Sequence, residues 1–139
     1  MRLLVIFFSL CCFRVFSQEL KKLGSLPNFL HETSALVAVN DSVLATINDG
    51  GGKSEVYFIN LKGKKVHTLN ILDTKNKDWE DLALNKKGDL FIGDIGDNLN
   101  QRKHSSIYIV KKKRLFDKEV GRYRIKFSYP EKADNPSND

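Results

Sequence analysis

Four oxygen-bearing side chains recur in this chain at a near-constant spacing. Glu32 and Glu80 lie 48 residues apart, and Asn48 and Asp94 lie 46 apart. Carboxylates drawn together repel unless a proton or cation sits between them. Oxygen donors of this kind suit a hard cation, and Ca²⁺ takes about 6 to 8 of them at roughly 2.3–2.6 Å. The expected chemistry is a Ca²⁺ site made by Glu32, Asn48, Glu80 and Asp94. In a catalytic version, the cation would polarise a carbonyl or phosphoryl oxygen and Glu80 or Asp94 would activate water. His31, beside Glu32, is a further candidate acid or base. The competing reading is turn chemistry at strand ends, which suits Asp49, Asp97 and Asn98 near their glycines.

Elements that could position these groups are read from periodicity. After residue 17 no segment has a helical period. Short apolar-alternating runs recur instead, at 35–40, 43–48, 55–60, 65–71, 82–85, 90–95, 107–111 and 123–129. Most carry β-branched or aromatic residues, as strands do. The eight runs form two sets of four. Leu44 and Leu90 are 46 apart in the second run of each set, and Tyr57 and Tyr108 are 51 apart in the third. Four-stranded units at a period of about 40 to 50 are β-propeller blades. The fold expected is all-β, with two four-stranded antiparallel blades of an incomplete propeller, over residues 31–72 and 80–129. An eight-stranded sandwich or barrel is the alternative.

In an up-and-down meander, alternate connections lie at opposite ends. One end would gather Glu32, Asp49, Asp78, Glu80, Asp81, Asp94 and Asp97. The other would gather Lys62, Lys64, Lys65, Lys86, Lys87 and Lys111 to Arg114. An acidic channel face opposite a basic one is expected. Residues 131–139 read as a disordered polar tail. The sequence stops where a third blade would begin. The chain is therefore expected to be an N-terminal fragment, a truncated product or a subunit that assembles with missing blades.

Residues 1–17 read as a secretory signal peptide, with Arg2, an apolar run from Leu3 to Phe13, and Ser17 before the cut. The protein is expected to be exported, to the periplasm, cell surface or exterior. The apolar run is too short to span a bilayer, and no later stretch could. Both cysteines, Cys11 and Cys12, fall in that segment, so disulfide and thiol chemistry are excluded from the remainder. Loss of Arg2 and Arg14 lowers the formal charge from +6 to +4. That is too mild to imply nucleic acid without a concentrated patch. Gly52-Lys53-Ser54 lacks the upstream glycine and following helix of a phosphate-binding loop. The segment from Asp94 to Asn98 lacks the alternate oxygens of an EF-hand. Trp79 is either an anchor packed between blades or an exposed stacking platform.

Four stretches carry a resemblance: Glu32-Thr33-Ser34-Ala35-Leu36, Ile47-Asn48-Asp49-Gly50-Gly51, Asp78-Trp79-Glu80-Asp81-Leu82-Ala83 and Gly93-Asp94-Ile95-Gly96-Asp97-Asn98. Arg102 and Ile107-Tyr108 follow. The chain resembles, over about residues 25–130, a family of β-propeller proteins exported by Bacteroidetes-type bacteria. Some members carry a C-terminal sorting domain for type IX secretion. The resemblance extends more distantly to calcium-dependent lactonase and phytase-like propellers, which implies metal at the channel. The leading expectation is a binding or scaffold propeller for an unknown small ligand. A metal-dependent hydrolase of esters, lactones or phosphoesters is the second, and a remnant without function the third.

Overall fold

The computed structural model describes residues 19–129. The expected signal peptide and polar tail lie outside the described residues. Nine strands follow in chain order: β1 (Thr33–Asn40), β2 (Val43–Asn48), β3 (Glu55–Asn60), β4 (Lys65–Leu72), β5 (Trp79–Leu84), β6 (Leu90–Asp94), β7 (Ser105–Val110), β8 (Glu119–Gly121) and β9 (Arg124–Phe127). Among the described residues there is no α-helix, and no helix long and apolar enough to cross a membrane.

The strands make two sheets. Sheet 1 has the order β1-β2-β3-β4-β8, and sheet 2 the order β5-β6-β7-β9. Neighbours are antiparallel except β4 and β8, which pair in parallel through Asn70–Glu119, Ile71–Val120 and Leu72–Gly121. The expected pair of four-stranded units is corrected here. A ninth strand leaves the second set and pairs with the outer edge of the first. It falls between the runs 107–111 and 123–129 read from periodicity. With three residues and one apolar side chain, it is too short to show a period. In place, β8 covers the otherwise open edge of β4, where unpaired backbone would invite other chains.

The turns follow from local chemistry. Asn40 Oδ1 accepts the N–H groups of Ser42 (2.9 Å) and Val43 (3.0 Å), closing the β1–β2 hairpin. Gly63 takes φ 80° in the β3–β4 turn, in the left-handed region that glycine enters without steric cost.

The alternation read from sequence decides which faces meet. Ala45, Ile47, Val56, Phe58, Leu69 and Ile71 of sheet 1 pack against Trp79, Leu82, Leu90, Ile92, Tyr108 and Val110 of sheet 2. Trp79 is fully buried in the core shared by both sheets, with its ring 5.9 Å from that of Tyr108 in its own sheet, so it is a packed anchor and not an exposed platform. On the opposite face of sheet 1, Leu30, Tyr57 and Ile59 form a second cluster with Phe29 and Leu44. Burial, and then the hydrogen bond to Glu55, push the Tyr57 phenol well above its ordinary pKa.

The two meanders share one register. In the first hairpin, Thr33 pairs with Asn48, Leu36 with Thr46 and Ala38 with Leu44. Adding 46 to each number gives Trp79 with Asp94, Leu82 with Ile92 and Leu84 with Leu90, all observed pairs. The bulge falls at matching places, between Thr33 and Ala35 and between Trp79 and Asp81. In the next pairing, Leu44–Ile59 and Thr46–Tyr57 become Leu90–Val110 and Ile92–Tyr108.

Candidate cation site at the junction of the two sheets

The loop after β2 and the start of β5 meet where sheet 1 adjoins sheet 2. Asn76, 5% exposed, ties them together. Its Nδ2 donates to the carbonyls of Asn48 (2.9 Å) and Asp49 (2.8 Å), and its Oδ1 accepts the Trp79 N–H (3.1 Å). Ser34 Oγ donates to the Trp79 carbonyl at 2.6 Å, joining β1 to β5. These bonds carry Asp49 to the side of Asp78 and Glu80.

Asp49, Asp78 and Glu80 each present a carboxylate oxygen within 4.8 Å of the others, and all three are half-buried. Glycine makes this approach possible. A Cβ built on Gly96 would lie 2.5 Å from Asp78 Oδ2 and 2.8 Å from Glu80 Oε1. One built on Gly50 would lie 2.9 Å from Asp78 Oδ1. The Asp78 carboxylate thus fits between two glycines on different loops. The Ile95 and Gly96 N–H groups both donate to the Asp78 carbonyl, at 3.1 and 3.2 Å. The Gly50 N–H donates to Asp49 Oδ1. Three carboxylates this close could hold a metal ion.

Of the four ligands expected from spacing, Glu80 joins this cluster. Asp94 is 1% exposed and turned inward. Arg102 Nη2 lies 2.9 Å from its Oδ1, Asp78 N–H donates to Oδ1 at 3.1 Å, and Tyr108 Oη donates to Oδ2 at 3.4 Å. Asn48 Nδ2 donates to the Phe29 carbonyl at 2.7 Å. Glu32 stays exposed, 3.6 Å from His31, whose side chain is 67% exposed. Neither His31 nor Glu32 is among the side chains that converge with Glu80.

The backbone also revises which residues correspond. Asp49 N–H donates to the Glu32 carbonyl (2.8 Å), as Ile95 N–H donates to that of Asp78. Under the common offset of 46, Glu32 matches Asp78 and Glu80 matches Ser34. The 48-residue spacing of Glu32 and Glu80 is two longer than this offset and pairs residues that are not equivalent. Asp49 and Asp78 had been placed on the acidic end, though not among the ligands. Asn76, in a lysine-rich loop, carries no signal in sequence.

No family model, curated protein or solved structure matches this chain.

Proposed function

We propose that the chain forms two adjoining blades of an exported β-propeller. On this reading it serves as a binding or scaffold module, with a divalent cation, Ca²⁺ by donor type, at the blade junction. The observation that carries the reading is the shared register, bulge included, between two four-stranded meanders stacked face to face. Repetition of one unit around an axis is how propellers are built, and each blade buries its faces against neighbours. The outer face of sheet 2 fits this. Ala83, Phe91 and Ile109 align across three strands, and Gly93, Ile107 and Ile125 form the next row. Ile125 is 47% exposed there. Such a face calls for another blade, supplied by more chain or by another copy. Export rests on the reading of residues 1–17.

Calcium titration of the folded chain tests the cation. A ligand bound only by the native state stabilises it by about 2.7 kcal/mol at a hundredfold excess over Kd. The melting temperature should rise with Ca²⁺, and Asp78→Asn with Glu80→Gln should abolish the rise. An equal rise in that variant, or none in the parent, would remove the cation from the account.

A further inference from the structure

The loops that hold the carboxylates also bound a second, oppositely charged feature farther out on sheet 2. A groove of about 380 Å³ opens beside Asp94, Ser106 and Tyr108, and Lys77, Lys103, Arg124 and Lys126 stand around it. It continues past Tyr108 and Arg124 to Lys75, Arg122 and Asp73. Arg102 is committed to Asp94, so that pair leaves the floor close to neutral. The remaining cations are Lys75, Lys77, Lys103, Arg122, Arg124 and Lys126. Asp73 is the only other acid along the groove.

Topology produces this convergence. Lys75 and Lys77 come from the β4–β5 loop, Lys103 from the β6–β7 loop, and the others from β9 and its approach. Tyr108 pairs with Arg124 and Ser106 with Lys126, so both cations rise from the same sheet face as the groove floor. Arg124 and Lys126 are two residues apart on a strand, which spaces their Cα atoms by about 6.6 Å on one face. Six like charges around one concavity repel one another, and an anion in it relieves that repulsion.

We propose that this groove binds a strand of anionic polysaccharide, one bearing sulfate or carboxylate groups along its length. Lysine and arginine would meet the charged groups, while Gln101, Thr74 and Ser106 line the same groove as neutral polar neighbours. The lining favours this class over single-stranded nucleic acid. Base binding relies on a run of exposed aromatic faces; of the two rings lining the groove, Tyr108 is 4% exposed, which leaves the His104 imidazole as a single small platform. The groove lies within the two sheets, so it depends neither on further blades nor on the cation.

The test uses the full chain and a fluorescent sulfated oligosaccharide derived from heparin, titrated at low and at moderate salt. Oligothymidylate and inorganic sulfate are run as competitors. Binding should weaken steeply with salt. Lys77→Ala with Arg124→Ala and Lys126→Ala should lower affinity about tenfold or more, since each exposed contact contributes modestly. Lys86→Ala with Lys87→Ala and Lys62→Ala removes as many cations from the opposite end and should leave affinity unchanged. Equal loss in both triple variants would reduce the effect to net charge and overturn the site. Tighter binding of oligothymidylate would overturn the ligand class. Full competition by inorganic sulfate at equal charge concentration would overturn the extended strand. The calcium response reads out separately, so failure here leaves the junction proposal standing.

Discussion

Asp94 and Arg102 form an ion pair at 2.9 Å, with side chains 2% and 17% exposed. The guanidinium also donates to the carbonyls of Gly96 (2.8 Å) and Asp94 (3.0 Å), so one arginine holds the whole turn after β6. Removing one partner strands the other charge in a poorly solvated place, which costs about 3 to 5 kcal/mol. Asp94→Ala and Arg102→Ala should each destabilise by about that amount in urea unfolding. Neither should remove the thermal response to Ca²⁺ while the chain remains folded. If Asp94→Ala removes that response without loss of stability, Asp94 is a ligand and its structural role is wrong.

Two glycines separate steric demand from mere position. At Gly96 a Cβ meets carboxylate oxygens at 2.5 and 2.8 Å, whereas at Gly121 nothing lies within 4 Å. Crowding of that kind costs about 1 to 3 kcal/mol. Gly96→Ala should lose about that much and weaken Ca²⁺ binding by spreading Asp78 and Glu80. Gly121→Ala should stay within about 0.5 kcal/mol of the parent. Denaturant midpoints for the two variants check both statements, and similar losses would contradict them.

Asp89 gives a pH dependence with a definite sign. The Lys112 N–H at 3.0 Å holds its carboxyl below the ordinary carboxylate value, and the Lys111 ammonium at 3.1 Å adds to this. A folded-state pKa below the unfolded one contributes stability above the unfolded value. That stability is lost as pH falls through the folded value. With an unfolded Asp near 3.9, the loss lies in acid, below about pH 4. Asp89→Asn should lower stability at neutral pH and flatten that acid limb. An unchanged limb in urea unfolding would show that other carboxylates carry it.

Much of this architecture is legible in the order of residues. The short apolar runs Val43–Asn48 and Glu55–Asn60 mark both strands at their observed bounds, because consecutive residues are buried on the two faces, Val56 and Phe58 in the core between the sheets and Tyr57 and Ile59 in the second cluster. The offset between Leu44 and Leu90 survives because both fill equivalent places in a hairpin. Spacing failed where it joined residues by type alone. The bulge at Trp79 to Asp81 repeats the one at Thr33 to Ala35, so the offset stays 46 and Glu80 answers to Ser34, while the 48-residue spacing joins it to a residue of like type two places away. Asp94 has a ligand's chemistry, and only the fold brings Arg102 to it. β8 owes its place to a parallel edge that no local pattern announces. The basic groove draws on three short segments, none basic enough alone to stand out.

Sedimentation equilibrium of residues 18–139 over a range of concentrations tests the paired-blade account most directly. The open face carrying Phe91, Ile107, Ile109 and Ile125 should drive concentration-dependent association. Ile109→Lys with Ile125→Lys should return the chain to a monomer with unchanged β-sheet circular dichroism. A parent chain that stays monomeric at every concentration and melts in one sharp two-state transition would contradict the account.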